Sequence, residues 1–326
     1  MKAAYIDKPG PPENIQFGNL PMPVLHEHEV LVRVRAVTVN HVDTFIRSGA
    51  FQTNIPLPFI IGRDMVGIVE TVGSGVRQFK AGEYVWSNCL GIEGHQGTFA
   101  EYAGAPENRL YHLPPGVEPN EAVAVVHSAL TAVIGLFTKA RITAGDTLFI
   151  NGGSGSVGLS VLQIAKSCGA RVAVTAGDEQ KAKLCLEMGA DRVVNYHKEN
   201  VLSAIREFAP EGIDIFWEST REFDPEKIIP VMADHGRIVV IAGRNRQCNF
   251  PIWPFYTRNC SIYGFIVTGT GIEELKRYSR QINAWLANGT LKANIHEIMP
   301  LSKASQAHKL QEQGHLPGKI VLVPEM

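Results

Sequence analysis

The strongest chemical signal in the sequence is the run Leu148-Phe149-Ile150-Asn151-Gly152-Gly153-Ser154-Gly155-Ser156-Val157-Gly158. An apolar strand enters a glycine-rich turn, and the turn opens a helix that continues Leu159-Ser160-Val161. Glycines let backbone approach a pyrophosphate, and a helix N-terminus offers unpaired N–H donors and a positive dipole end. The spacing is G-x-x-G-x-x-G rather than G-x-G-x-x-G, so the turn alone is also compatible with a bend that binds nothing. The α/β units around it favour a dinucleotide. An NAD site usually places an acid at the end of the second strand for the ribose 2′-hydroxyl. Here that strand, residues 171–175, runs into Thr175-Ala176-Gly177, and Asp178 comes late, where it faces solvent or caps the next helix. Lys181 follows, and Tyr196 lies after the third strand. A lysine and a phenol can hold a 2′-phosphate that a carboxylate would repel, which points to NADPH. Lys181 also reads as an ordinary exposed helix lysine.

The elements that must position this turn alternate. Strands are predicted at 147–151, 171–175, 192–195, 213–217, 237–242 and 261–266, and helices at 156–168, 179–188, 200–208, 225–232 and 273–288. That alternation builds a parallel sheet with helices on both faces. The first third differs in texture. Residues 29–37 alternate Val30, Val32, Val34 against Leu31, Arg33, Arg35, and residues 66–72 and 83–86 read as further strands. No long helix is predicted before about residue 120, and an Ala-rich apolar helix is predicted at 120–136. Residues 319–323 read as a returning strand. A chain of 326 residues with 45% hydrophobic residues has the material for two domains.

Lys+Arg number 31 against Asp+Glu 32, a net charge of -1, so nucleic-acid binding is not expected. No apolar run of about 18 residues suggests a membrane span, and the N-terminus lacks a signal-peptide core. Five scattered cysteines, never in a C-x-x-C pair, suit thiols in a reducing cytoplasm.

Several segments carry a resemblance. They are residues 39–49 (Val39-Asn40-His41-Val42-Asp43-Thr44-Phe45-Ile46-Arg47-Ser48-Gly49), Gly62-Arg63-Asp64-Met65-Val66-Gly67, the glycine turn, Gly189-Ala190-Asp191, Gly236-Arg237-Ile238-Val239 and Gly318-Lys319-Ile320-Val321-Leu322. Over nearly its whole length the chain resembles the zinc-free quinone reductase/zeta-crystallin branch of the medium-chain dehydrogenases. The resemblance implies a β-rich GroES-like catalytic domain from both chain ends, 1–122 and 267–326, and a Rossmann doubly wound domain at 123–266, with the active site in the cleft between them. It places Asn40 and Asp43 near the nicotinamide ribose and Thr131 beside the nicotinamide. Ser219, Ala242, Gly243, Arg244, Phe265 and Val267 would line the cofactor's path, with Lys319 approaching from the C-terminal segment. Together with Gly152, Gly153, Ser154, Gly155, Ser156, Val157, Thr175, Lys181 and Tyr196, these are the expected cofactor contacts. It also implies a homodimer or homotetramer.

Zinc relatives carry Cys, His and Cys where this chain has Asn40, Arg63 and His127. One possible ligand does not make a site, and no metal is expected. Without a Lewis acid, hydride transfer to an easily reduced acceptor is favoured over alcohol oxidation. The acceptor would be a quinone or activated alkene, with the nicotinamide held against it and water excluded. Many relatives have Tyr where Phe45 and Phe51 stand. Phe45 is a candidate catalytic-pocket residue that stacks on a flat acceptor or packs in the core, and the proton source stays open among Asn40, Ser128, Thr131, His127 and water. His127 also reads as a core histidine. Trp253 would wall the acceptor pocket or pack between domains. The alternatives are an enal/enone or enoyl-thioester reductase, and an NADPH-binding structural or RNA-binding protein.

Overall fold

The computed structural model describes residues 1–314 and 316–325. The chain divides into two compact units: Met1–His127 with Gly271–Met326, and Ser128–Thr270.

The second unit is a six-stranded sheet in the order Arg192–Asn195, Arg171–Ala176, Thr147–Asn151, Ile213–Glu218, Met232–Val240, Ser261–Gly264. Every neighbouring pair in it is parallel. In chain order this is 3-2-1-4-5-6, the doubly wound Rossmann order, and ligands bind such sheets beyond the carboxyl ends of the strands. The strands are near-continuous apolar runs: Leu148, Phe149 and Ile150, and Val172, Ala173 and Val174, are all 0–1% exposed. Helices covering both faces demand that pattern. Met232–Val240 begins earlier than expected. The helix predicted at 225–232 ends at Ile228, and a 3-10 turn over Ile229–Val231, which contains Pro230, leads into the strand. A short helix, Ile252–Thr257, carries Trp253 at 71% exposure.

The first unit is the GroES-like one. A three-stranded antiparallel sheet lies beside a seven-stranded sheet centred on Glu29–Thr38, which pairs antiparallel with Met65–Val72, with Tyr102–Pro106 and with the C-terminal strand Lys319–Val323. The strand Ile295–Pro300 and the helix Ala304–Gln313 complete the C-terminal part and were not foreseen. Nor was the helix His41–Ser48. Its inward residues are Asp43, Thr44, Ile46 and Arg47, so the face it turns to the core is largely polar rather than the apolar stripe that marks a core helix.

The expectation that no apolar run could span a membrane is corrected by the helix Pro119–Lys139. Its 21 residues are long and apolar enough, but 72% of its most apolar stretch is buried inside the protein, as befits a core helix.

Candidate active site

In the nucleotide-binding unit the glycine turn is shaped by close approach. Gly152 has φ +85°, a conformation that favours glycine. A Cβ on Gly153 would lie 2.3 Å from Cβ of Val174, and one on Gly158 would lie 2.3 Å from the carbonyl oxygen of Gly152. Gly155, by contrast, would meet only that same carbonyl, at 3.4 Å, and the segment Gly155-Ser156 is exposed. The helix Ser156–Ser167 starts there. Its first-turn amides have no intrahelical acceptors, and with the dipole's positive end they would favour an anion placed before them.

Thr175 sits inside this arrangement rather than at its surface. Its hydroxyl accepts from the Gly152 amide at 2.8 Å and donates to Asn151 Oδ1 at 3.0 Å. Asn151 Nδ2 donates to Glu218 Oε2 at 3.0 Å and to Thr220 Oγ1 at 3.2 Å. Glu218 accepts the Thr220 amide on its other oxygen, and burial pushes its carboxyl above the ordinary range. Sequence reasoning missed Asn151, Glu218 and Thr220. They tie the turn after one strand to the loop after its neighbour, and Trp217 Nε1 fixes Ser219 Oγ in that loop at 2.9 Å.

At the end of the second strand, a Cβ on Gly177 would fall 2.4 Å from the Tyr196 hydroxyl, so glycine there makes room for the phenol. Lys181 is largely buried and its Nζ stands 3.5 Å from Asp178 Oδ2. Asp178 caps the following helix by accepting the Lys181 amide at 2.8 Å, and its carboxyl is held low chiefly by that bond. Ala242, Gly243 and Arg244 follow the strand Met232–Val240, and Phe265 and Val267 follow Ser261–Gly264. Ser219 follows Ile213–Glu218, so all of these residues lie just past the carboxyl ends of parallel strands. Thr131 is buried on the helix Pro119–Val133. Ser128, also buried there, accepts a hydrogen bond from Ser160 Oγ at 2.8 Å.

In the GroES-like unit, residues far apart in the chain converge on one buried carboxylate. Asp64 Oδ2 accepts from Asn40 Nδ2 at 2.5 Å and from Thr38 Oγ1 at 3.2 Å, and Oδ1 pairs with His127 Nδ1 at 3.1 Å. Lys319 Nζ donates to Asn40 Oδ1 and, at 3.3 Å, to the Val39 carbonyl. The Asn40 amide donates to Asp43 Oδ2 at 2.7 Å, while Asp43 Oδ1 is buried without a hydrogen-bond partner. Burial alone would raise the Asp64 carboxyl. His127, through charge and hydrogen bond, then Lys319 and Asn40, pull it below the ordinary range. For Asp43 the compensation is incomplete: burial and the neighbouring Asp64 outweigh the Asn40 amide, Arg63 and His127 and push it up to about 6. Burial lowers the Lys319 ammonium, opposed by Asp64 and Asp43. Of the expected catalytic residues, Asn40 and Asp43 belong to this cluster. Phe45 is half-buried on the same helix as Asp43. Asp64 lay inside a motif read only as a family mark.

Zinc does not fit here. The Asn40 amide is engaged at both ends, Arg63 is a cation, and only Asp64 and His127 are candidate donors. Among the described residues no three His, Cys, Asp or Glu side chains form a metal-holding group. The glycine turn, in contrast, offers backbone donors at an exposed helix start, the kind of site that takes a phosphate.

The comparisons agree with this division. Residues 26–115 match the family model of the alcohol dehydrogenase GroES-like domain, and residues 156–284 match that of the zinc-binding dehydrogenase. The chain is 31% identical to the quinone oxidoreductase of Homo sapiens over 99% of this chain and 98% of that one. Escherichia coli quinone oxidoreductase, solved in complex with NADPH, superimposes with a TM-score of 0.88 at 26% identity, over 99% of this chain and all of that one. An NAD-dependent alcohol dehydrogenase superimposes with a TM-score of 0.87 at 29% identity over the whole of both chains.

Proposed function

The chain belongs to the quinone reductase branch of the medium-chain dehydrogenase/reductase superfamily, and we propose that it is an NADPH-dependent reductase of quinone-type acceptors that works without a metal. The observation that carries this reading is the fate of the metal positions: Asn40 is tied to Asp64 and Lys319 instead of presenting a ligand. The NADP preference is supported by the Thr175-Ala176-Gly177 strand end, the Tyr196 phenol over Gly177 and the nearby Lys181. The relative solved with NADPH points the same way.

When bound, NADPH supplies the hydride. The chain's own residues do the rest. The turn at Gly152, Gly153, Ser154, Gly155, Ser156 and Val157 would bind the pyrophosphate. Ser219, Ala242, Gly243, Arg244, Phe265 and Val267 would line the cofactor, and Asn40, Asp43, Thr131 and Lys319 would orient the nicotinamide end. Such positioning and exclusion of water account for most of what a protein must add to a cofactor that already carries the chemistry. Phe45 offers an apolar ring face and no donor, which suits an acceptor whose product anion is spread over an aromatic ring.

The assembly we propose is a homodimer or homotetramer. The strand Ser261–Gly264 is one edge of the six-stranded sheet, and Ile262 and Ile266 beside it are 40% and 59% exposed. Such an edge is a natural pairing surface. Five cysteines, all free, support a reducing cytoplasmic setting. Loss of nicotinamide absorbance with a panel of ortho- and para-quinones and simple enones, run with NADPH and with NADH in chelator, tests the reading. Quinones with NADPH should be fastest and unaffected by chelator; a preference for NADH, or activity that disappears with chelator, would refute it.

A further inference from the structure

We propose that the GroES-like unit carries a binding site for a small monovalent anion, a halide or a compact carboxylate, formed by Arg63, Asn88 and Arg109. The site does not depend on the reductase reading.

Strand register brings the three residues to one end of the sheet. Ser87, the last residue of the strand Tyr84–Ser87, pairs with Met65 on one side and with Leu110 on the other. Arg63 lies just before Met65, Asn88 just after Ser87 and Arg109 just before Leu110. Because both pairings are antiparallel, all three residues fall at the same end of three adjacent strands. Two bonds hold their backbones there. The Leu90 amide donates to the Arg63 carbonyl at 3.2 Å, and Ser87 Oγ donates to the Arg109 carbonyl at 2.8 Å. Cys89, in the same turn, is near enough to both arginines to feel their charges.

Each of the three keeps a buried donor without a hydrogen-bond partner: Arg63 Nε, Asn88 Nδ2 and Arg109 Nη1. Arg63 and Asn88 are each only 3% exposed. A donor taken out of water and left unpaired loses its hydration for nothing, and the loss is larger when it carries charge. Among the described residues neither arginine belongs to a salt bridge. Both Asp64 oxygens are taken, by Thr38 and Asn40 on one and His127 on the other. Asp43 feels the Arg63 charge, but no salt bridge joins them. The Cys89 thiol donates to Asn88 Oδ1 at 2.5 Å, and burial pushes it up against the pull of Arg63, so the sulfur stays neutral. The unpartnered atoms of the three residues are therefore all donors, two of them on cations. An anion satisfies the donors and the charge together, through charge-assisted hydrogen bonds.

Burial and charge narrow the class. Arg109 is half-buried, so an ion enters past its side chain. The closure of Arg63 and Asn88 suits a single atom or a compact carboxylate and excludes a nucleotide or a peptide. One negative charge suffices, because Asp43 and Asp64 already offset part of the positive field.

The test is thermal unfolding of the full chain in sodium chloride, bromide, formate or acetate, each against gluconate at equal ionic strength. An ion that binds only the folded chain should lower the unfolding constant about tenfold at ten times its Kd, read as a rise in Tm. A rise led by the halides marks a halide site, and one led by formate a carboxylate site. Asn88→Leu, which keeps the volume and removes the donor, should abolish the ion-specific rise, and so should Arg109→Met. A measurement that needs no variant is anomalous scattering from bromide in crystals of the wild type, which should place the ion against Arg63 Nε, Asn88 Nδ2 and Arg109 Nη1. No bromide at these atoms, a rise no larger than in gluconate, or a full rise kept in both variants overturns the proposal. Bromide at the three donors without an ion-specific rise is an adventitious ion only and overturns it as well.

Discussion

Around Asn40 the GroES-like unit buries Asp43, Asp64 and Lys319, three ionisable side chains whose charges must be balanced locally. Beneath the glycine turn the nucleotide-binding unit buries one carboxyl, Glu218, and surrounds it with neutral donors from Asn151 and Thr220. The first arrangement positions polar groups by charge. The second positions backbone by shape, with hydrogen bonds as ties. Burying ions costs several kcal/mol each and is recovered only when every partner is present. A backbone cradle instead depends on the absence of side chains. The two regions should therefore fail differently when they are altered.

The largest effect should come from removing the centre of the charged cluster. Asp64→Ala leaves Lys319 and His127 without their shared counter-charge and should cost about 3–5 kcal/mol, the range for breaking a buried ion pair. Denaturant unfolding measures it. A loss below about 1 kcal/mol would mean that water screens the cluster and that the contrast between the regions is false.

The pH dependence sharpens the contrast next. The folded Asp43 carboxyl titrates near 6, above its ordinary value, so the fold binds a proton there more tightly than the unfolded chain does. Its contribution is complete at low pH and fades as pH rises from the ordinary aspartate range through about 6. Asp64, held low, acts with the opposite sign: its contribution is present at neutral pH and fades on acidification. Asp43→Asn should remove the first effect and flatten the decline in stability between pH 4 and pH 7 by on the order of 2 kcal/mol. Thermal unfolding of both proteins across that range checks it; parallel curves would count against the assignment.

The cradle is tested by Gly153→Ala. Its methyl would enter the space held by Val174. Shifting the turn should cost about 1–3 kcal/mol of overpacking, and NADPH affinity should fall with it. Unaltered affinity by calorimetry would show that the turn can yield.

Glu218→Gln should cost only about 1 kcal/mol, because the carboxyl is already pushed toward its neutral form and an amide oxygen still accepts the Thr220 amide. A loss as large as that of Asp64→Ala would erase the distinction between charge-held and neutral networks.

The smallest change is expected from Asp178→Asn. Asparagine keeps the helix cap and removes the anion beside Lys181. NADPH should tighten relative to NADH by a factor of about two to five, as for a screened surface pair. An unchanged ratio of Kd values would place the 2′-phosphate away from Lys181.

Some of this molecule is set by local sequence. Gly153 and Gly158 between an apolar strand and a helix specify the cradle, since the contacts that forbid side chains come from neighbouring strand and turn backbone. The six alternating apolar runs specify a parallel sheet, because only strands buried on both faces read that way. The residues at 40 and 63 disfavour zinc by their own chemistry. The short helix at Asp43 was illegible because its buried face is polar, and the length of the apolar core helix was underestimated. Glu218 looked like one more acid. The partnership of Asp64 with His127 spans 63 residues, and that of Asn40 with Lys319 spans 279. No period or motif encodes such pairings. Only tertiary packing decides which charges lose their water together, and so which side chains must be each other's partners.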